Sequence, residues 1–365
     1  MAIINKLVEN HESTEIRFWC NRAYRTQSIG LMKQSGTSVK VSTIFAGKLR
    51  RYHGESLRQR LLDIPTIAHN IFDVILVALG FVQSLIKLLL WRPDVIFLKG
   101  GFVCLPVGYA AHILRIPIVI HDSDTHAGLT NRLLAPFAKT IATGAPLEYY
   151  KYPIDKAVYT GIPIESSFRK FSNNEKYKFK KSFGLPADMP LVLVVGGGLG
   201  AKKINDAMIA IADKLSRTAS VVHLSGVKQF DDLKEQVPNK DTYKLLAFVN
   251  KDMEKLIGAA DVVVSRSGAS FMAELAAVGS SVILIPKAEL AGGHQLKNAS
   301  MYSDENAANV LNESHLDGNP EILLDAITEL LQNESKRNLL SKNLHVFAKS
   351  DAAQQVAKLI LKASE

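Results

Sequence analysis

The stretch DVVVSRSGASFMAE, residues 261–274, joins an apolar run to a polar turn and then to a carboxylate. Its β-branched start is typical of a buried parallel strand, and helical character begins near Ala269. Arg266, Ser267 and Gly268 are therefore expected where a strand ends and a helix begins. In open α/β sheets ligands bind at that edge, and the free N–H groups of the helix attract anions. The alternative is an ordinary strand-to-helix turn whose arginine faces solvent.

A glycine-rich loop is a second candidate for phosphate chemistry. LVLVVGGGLGAKKIND, residues 191–206, reads as a strand, a glycine turn and a helix. The glycines that would let the backbone approach a phosphate are Gly196, Gly197, Gly198 and Gly200. The next strand ends in His223 and Ser225 instead of an acidic residue, which disfavours a nicotinamide enzyme. Another glycine pair, Gly100 and Gly101, follows an earlier strand.

The elements that would position these loops alternate between strand and helix along the chain. The predicted strands are 15–20, 38–45, 94–100, 116–122, 139–144, 191–197, 220–226, 243–249, 261–267 and 281–287. This alternation is the βαβ signature of parallel sheets. It occurs in two consecutive series and predicts an α/β protein. A polar, proline-bearing segment, 160–190, separates the two series. We therefore predict an N-terminal domain of residues 1–164 and a C-terminal domain of residues 165–365, whose last helix is a candidate to return to the first domain.

Composition agrees with two globular domains. The 365 residues exceed what one hydrophobic core usually serves, and 47% are hydrophobic while 22% are charged. The two cysteines, Cys20 and Cys104, have no metal-ligand or CxxC spacing, so they read as buried thiols in a reducing compartment. No metal and no cofactor are expected.

The positive charge is concentrated in the first half, where residues 1–165 hold 19 Lys+Arg against 12 Asp+Glu. Lys48, Arg50, Arg51, His53, Arg58 and Arg60 precede the most apolar segment, 71–91. That segment has the length of a membrane span but contains Asp73, Gln83 and Lys87, which favours a buried helix with one stripe facing lipid or the core. The basic residues suit an anionic membrane surface or an anionic substrate. A solvated basic loop is the alternative, and nucleic acid is disfavoured because no nucleic-acid module accompanies the charge.

The motifs taken together resemble a known family. Two Rossmann-like domains that each bring a glycine loop to a shared cleft make the GT-B architecture, and the chain resembles the MurG family of glycosyltransferases along essentially its whole length. PDVIFLKGGFVCLPVGYAA resembles the family's second glycine loop, and HDSDTHAGLTN its HEQN-x-x-x-G-x-x-N segment. GGGLGA resembles the GGSxGA loop, SRSGASFMAE the xRxGAxTxxE signature, and AGGHQLKNA the HQxxNA segment. The last two motifs, in this order, are highly specific.

The resemblance implies a donor site for UDP-GlcNAc in the C-terminal domain. Glu274 would accept hydrogen bonds from both ribose hydroxyls, and Phe248 with the backbone of Val249 would cover uracil. Ala269 and its neighbours, including Ser270, would present N–H groups to the nucleotide sugar. His294 and Gln295 would read the GlcNAc hydroxyls. The glycine loop, the helix that begins at 269 and Arg266 would stabilise the departing diphosphate.

The acceptor site implied by the resemblance lies in the N-terminal domain and takes a lipid-linked muramyl-pentapeptide pyrophosphate, lipid I. The matching residues are Gly100, Gly101, His121, Asp124 and Asn131. The chain departs from the family where an arginine is replaced by Glu165 and the loop serine by Gly198. The family's first strand and its GGTGGH loop have no match, for which we expect an upstream translation start in preference to a damaged product. The resemblance implies that the histidine of the GGTGGH loop is the general base. If that loop is dispensable, Asp122, which matches the glutamate of HEQN, is the candidate general base.

Three functions stay open at this stage. The first is an inverting transferase at the cytoplasmic face of the cell membrane, peripheral to it, that converts lipid I to lipid II in peptidoglycan synthesis. The second is another UDP-sugar transferase with a lipid acceptor. The third is a non-catalytic UDP-sugar-binding homologue, which the unmatched loop and the replaced arginine support.

Overall fold

The computed structural model describes residues 1–10, 13–34, 38–48, 63–198, 200–249, 251–287 and 293–365. The chain divides into two compact units. Unit 1 contains the described residues of 1–165 and 293–294 together with Lys349–Glu365, and unit 2 contains the described residues of 166–287 and Gln295–Ala348. The roles predicted for the two domains stay predictions.

Unit 1 is an α/β unit with parallel sheets. Its helices and strands are α1 (Ala2–Asn10), β1 (Arg17–Cys20), α2 (Arg25–Gln34), β2 (Lys40–Thr43), α3 (Ile64–Leu90), β3 (Ile96–Leu98), α4 (Cys104–Ile113), β4 (Ile118–Asp122), α5 (Leu129–Leu134), β5 (Thr140–Thr143), β6 (Ala157–Tyr159) and α14 (Ala352–Ser364). One sheet has the order β3-β4-β5-β6, and β1 and β2 form a separate parallel pair. Among the described residues, the pair and the larger sheet are not hydrogen-bonded to each other.

The core of unit 1 lies on both faces of the larger sheet. One cluster includes Leu98, Ile118 and Ile120 from the strands with Leu88 and Val107 from the helices. The opposite cluster joins Val119 and Ala142 of the sheet to Val356, Ala357 and Ile360 of α14. The five residues of β4 are all buried, as expected for a β-branched strand covered on both faces.

Helix α3 corrects one prediction, because the apolar segment is a surface helix and not a buried one. Only 22% of its most apolar window is buried, and by length and composition it could cross a membrane. Its large exposed side chains are Ile67, Ile71, Phe72, Val74, Ile75, Leu79, Val82, Ile86, Leu89 and Leu90. The buried side instead carries the polar Asp73 and Ser84 beside Leu88. Gly80 lets the backbone of Phe45 approach, since a Cβ there would lie 1.9 Å from the Phe45 carbonyl oxygen.

Unit 2 is a second α/β unit around one parallel sheet of order β12-β11-β10-β7-β8-β9. Its helices and strands are α6 (Asn173–Ser182), β7 (Leu191–Val195), α7 (Lys202–Leu215), β8 (Ser220–Leu224), α8 (Phe230–Leu233), β9 (Tyr243–Leu246), α9 (Met253–Ala259), β10 (Val262–Ser265), α10 (Ala269–Val278), β11 (Val282–Leu284), α11 (His294–Asp304), β12 (Asn309–Val310), α12 (Glu321–Gln332) and α13 (Glu334–His345).

All ten predicted strands are confirmed, each shorter than predicted by two to four residues. The strands that sequence reasoning missed are β6 and β12, of three and two residues. Both lie at the edge of a sheet, where a strand is covered by fewer neighbours and its sequence carries little periodicity.

Candidate functional site

Four loops leave the same edge of the unit 2 sheet. The last residues of adjacent parallel strands are register partners: Ser265 of β10 with Val195 of β7, and Val195 with Leu224 of β8. Leu224 is in turn the partner of Leu246 of β9. The segments that follow these strands are the Arg266 turn, the glycine loop, Ser225–Gly226 and the Phe248 segment. Parallel strands therefore bring all four to one edge, where open α/β sheets bind ligands.

The glycine loop is a tight turn in contact with its neighbours. Gly197 and Gly200 both have φ near +87°, a conformation that favours glycine, and the Gly200 N–H donates to Gly197 O over 2.9 Å. A Cβ at Gly200 would lie 2.2 Å from Ser225 O. A Cβ at Gly198 would lie 4.0 Å from the Phe248 ring, which is itself largely exposed. The two predicted donor elements therefore approach each other at the tip of the loop.

Helix α10 presents free backbone donors at this edge. Its first intrahelical bond runs from Met272 N–H to Gly268 O, so the N–H groups of residues 269–271 precede the ladder. The cap residue Gly268 has no side chain to occupy them. Ala269 is buried, Ser270 is exposed, and Glu274 is half-buried in the second turn. The positive end of the helix dipole adds to the attraction of an anion.

Arg266 does not point a free charge at this edge. Its guanidinium donates to Ile285 O over 2.8 Å and forms an ion pair with Glu313, and both side chains are only 12% exposed. Sequence reasoning missed Glu313, which lies 47 residues further along the chain in a segment without a motif. The arginine thus ties the end of β10 to the segments after β11 and β12, and its charge is balanced.

Ser267 and Gln295 anchor the start of α11. The buried Ser267 hydroxyl donates to Gln295 O over 2.7 Å, and Asn298 donates to Ser267 O over 2.9 Å. The Gln295 side-chain oxygen accepts from the Lys287 N–H over 2.9 Å, which leaves the amide nitrogen as the donor of that side chain. His294, the first residue of α11, is half-buried and belongs to unit 1.

A second candidate site lies in unit 1, where β3 and β4 end side by side. Gly100 and Gly101 follow β3 with φ of 81° and 84°. A Cβ at Gly100 would lie 3.1 Å from the amide nitrogen of Asn131, which donates to His121 O. The side-chain oxygen of Asn131 is buried and has no hydrogen-bond partner among the described residues. The structure thus brings the predicted glycine pair and the predicted HDSD segment together.

Asp122 is the buried carboxylate of this second site. It is 4% exposed, and one carboxylate oxygen accepts from the Tyr152 hydroxyl over 2.7 Å and from the Gly128 N–H over 3.2 Å. Burial raises the pKa of Asp122 from 3.8 to about 6, against the lowering effect of these hydrogen bonds. Tyr152 was missed, because GAPLEYYKYP gives no signal that links it to the HDSD segment.

Two neighbours of Asp122, the histidine His121 and the aspartate Asp124, differ in their surroundings. His121 is fully buried, its Nε2 lies 2.9 Å from Gly161 O, and burial lowers its pKa to about 4. Asp124 is half-buried, and its backbone oxygen accepts from the Tyr150 hydroxyl over 2.8 Å. His121 is therefore a neutral group that holds the loop, and its side chain does not reach solvent.

Comparison with known proteins agrees with this architecture. The model of the glycosyltransferase family 28 N-terminal domain matches residues 38–143, and that of the C-terminal domain matches residues 191–356. A UDP-N-acetylglucosamine–N-acetylmuramyl-(pentapeptide) pyrophosphoryl-undecaprenol N-acetylglucosamine transferase of Clostridium kluyveri is 31% identical over 89% of this chain and 85% of its own length. The enzyme of the same name from Clostridium perfringens is 34% identical over 80% of this chain and 77% of its own.

The fold has a solved counterpart in MurG of Acinetobacter baumannii, with a TM-score of 0.72, 22% identity and coverage of 99% of this chain and 94% of that one. Two Rossmann-like units with parallel sheets are the GT-B fold. The chain belongs to glycosyltransferase family 28, a family of hexosyltransferases. The predicted fold class, family and enzyme class are thereby confirmed.

Proposed function

We propose that this chain transfers GlcNAc from UDP-GlcNAc to a lipid-linked muramyl-pentapeptide pyrophosphate. The observation that carries the proposal is the convergence of three predicted donor segments, the Arg266 turn, the glycine loop and the Phe248 segment, at one edge of the unit 2 sheet, with the Phe248 ring beside the glycine loop. The names of the Clostridium relatives supply the acceptor class.

The donor is assigned to unit 2 by chemistry. The exposed Phe248 ring offers a face for uracil, and Glu274 offers two acceptor oxygens to the two ribose hydroxyls. The diphosphate is assigned to the N–H groups of the glycine loop and of α10, because the Arg266 charge is balanced by Glu313. The amide nitrogen of Gln295, together with His294, is assigned to the sugar hydroxyls.

The acceptor is assigned to the second site of unit 1. Gly100 and Gly101 lie ahead of the N-terminus of α4, a position suited to a pyrophosphate. Asp122 is the candidate base for the attacking hydroxyl, since a carboxylate with a pKa of about 6 is largely ionised at neutral pH and still basic enough to take a proton. Asp124 and Asn131 are assigned to positioning of the acceptor.

The lipid part of the acceptor is assigned to a membrane surface that α3 contacts. This helix of 27 residues packs Phe81, Leu85 and Leu88 against the core of unit 1 and exposes a continuous apolar face on its other side. A helix that faces water has polar residues on its exposed side. Such a helix binds in the plane of the interface, with its apolar face in the acyl region. The basic residues 50, 51, 53, 58 and 60 lie outside the described residues, so their predicted contact with anionic lipid stays a prediction.

Binding of UDP and of 2′-deoxy-UDP, measured by calorimetry, tests the donor site. We expect Glu274→Ala to weaken UDP binding by roughly 1.5 to 3 kcal/mol, because a carboxylate that accepts charge-assisted hydrogen bonds is lost. The same variant should lose the preference of the wild type for UDP over 2′-deoxy-UDP. Glu235→Ala, at an exposed position of the same unit, is the control. Equal UDP affinities of the Glu274 and Glu235 variants would refute the assignment.

A further inference from the structure

A chain of polar side chains runs through the interior of unit 2, from β9 to the glycine loop. The Tyr243 hydroxyl lies 2.9 Å from Nδ1 of His223, and Nε2 of His223 lies 2.9 Å from Oδ1 of Asn205. The Asn205 amide nitrogen donates to Ser225 O and to Oε1 of Gln229, each over 2.9 Å. His223 and Asn205 are fully buried, and neither lies in a motif to which the donor site was assigned.

The donor and the acceptor of each hydrogen bond in this series of side chains follow from the atoms that can only accept. Ser225 O is a carbonyl and can only accept, so the amide nitrogen of Asn205 faces it and Oδ1 faces His223. Oδ1 also only accepts, so the proton of His223 is on Nε2, and Nδ1 accepts from Tyr243. Burial lowers the pKa of His223 to about 4, which keeps the ring neutral at physiological pH. One tautomer and one amide orientation therefore satisfy the chain.

The far end of the chain is the surface on which the glycine loop lies. Ser225 O is the atom that a Cβ at Gly200 would meet at 2.2 Å, and the amide nitrogen of Gln229 would be 2.8 Å from the same Cβ. The Asn205 amide nitrogen donates to Ser225 O and to the other polar atom of the Gln229 amide, Oε1. Asn205 itself lies in the first turn of α7, where its N–H donates to Ala201 O, directly after the loop. The amide thus ties the helix that follows the loop to the segment after β8.

We propose that His223 and Asn205 are positioning residues for the nucleotide diphosphate, because they hold the glycine loop in the conformation that presents its N–H groups. The proposal rests on the donor site proposed above and adds residues that make no contact with the ligand. If residue 223 has no donor at the position of Nε2, the Asn205 amide is free to rotate by 180°. Its Oδ1 would then face Ser225 O, and two acceptors would be in contact. The loop then loses the contact that defines the position of Gly200.

Burying a series of hydrogen-bonded polar side chains costs more desolvation free energy than burying apolar side chains of equal volume, but it can specify a single conformation. His223 and Asn205 have all of these hydrogen bonds satisfied, as expected for side chains with that role. Because the chain ends at a phosphate-binding element, its effect should appear in the diphosphate part of the ligand and not in the nucleoside part. This distinguishes positioning from a general contribution to stability.

The test compares the affinities of UDP and uridine for the full chain by calorimetry, at a temperature well below unfolding. His223→Phe keeps the ring volume and removes the Nε2 donor, and Asn205→Ala removes the amide. We expect each to raise the Kd of UDP about tenfold and to leave that of uridine unchanged. His223→Gln, whose amide can donate to Oδ1 of Asn205, should restore most of the UDP affinity.

The outcomes separate the two proposals. If the wild type binds neither UDP nor uridine, the donor site itself is wrong, and this inference falls with it. If the wild type binds UDP and the two disruptive variants bind it equally well, or lose uridine to the same extent, only the positioning role is wrong.

The wild type alone provides a second test: nitrogen-15 spectra should show the His223 ring neutral and protonated at Nε2 from pH 6 to 8. A proton on Nδ1, or titration in that range, would contradict the bond directions.

Discussion

Asp122→Asn is expected to reduce GlcNAc transfer by about 10² to 10⁴-fold while making the protein more stable at pH 8. The loss of rate is that of a general base, whose removal typically costs this much. The gain in stability has a different origin. Burial raises the pKa of Asp122 to about 6, so the ionised carboxylate present at pH 8 is less favourable inside the protein than in the unfolded chain.

The sign of the pH dependence follows from the raised pKa. Below pH 3.8 the carboxyl is protonated in both states, and between about 4 and 6 the unfolded chain releases its proton first. The free energy of unfolding therefore falls as the pH rises through this window and stays lower above it. A shift of about two pKa units corresponds to about 3 kcal/mol, the upper limit for the stabilisation that asparagine provides at pH 8. Asparagine keeps an acceptor for Tyr152 and Gly128.

Denaturant unfolding at pH 4 and pH 8 and radiolabelled transfer to a lipid-linked acceptor measure the two effects. Asp155→Asn, at an exposed carboxylate of unit 1, is the control and should change neither. Tyr152→Phe removes a hydrogen bond that lowers the pKa of Asp122, so the acidic limb of the rate profile should move to higher pH. An Asp122→Asn protein that transfers GlcNAc at the wild-type rate would exclude Asp122 as the base.

The double variant Ile75→Glu, Leu79→Glu is expected to lose most of its binding to phospholipid vesicles. Both side chains are about half exposed on the apolar face of α3. Each contributes roughly 1 to 2 kcal/mol when it enters the acyl region, and a carboxylate there is unfavourable. The partition coefficient should therefore fall at least about thirtyfold, since 1.4 kcal/mol is a factor of ten.

Sedimentation with vesicles of mixed neutral and anionic lipid, at low and high salt, is the measurement. Leu339→Glu, Val346→Glu introduces the same charges at exposed apolar positions of unit 2 and should bind as the wild type does. Binding that weakens with salt would support the predicted electrostatic contribution. If the α3 variant and the unit 2 variant sediment alike, α3 is not the contact surface.

The long strands and the order of the loops could be predicted from the sequence, because β-branched runs and glycine turns are local signals. The surface position of α3 could not be predicted in this way, since its composition is that of a core helix and only the packing shows that Asp73 and Ser84 face inward. The Arg266 to Glu313 pair and the Tyr152 to Asp122 bond were also beyond reach, because each joins residues 30 or more positions apart without a shared motif. The donor residues themselves were found through family motifs, and their roles stay predictions.

The return of the last helix to the first unit determines the order in which the protein can complete its folding during synthesis. Val119 and Ala142 of unit 1 are covered by Val356, Ala357 and Ile360 of α14, which leave the ribosome after every residue of unit 2. Unit 2 can therefore complete its core while one face of the unit 1 sheet is still exposed, because α14 has not yet packed on it. This reverses the usual rule that N-terminal domains finish first. A nascent chain, or a fragment cut after Glu165, presents that apolar face to the solvent and to chaperones.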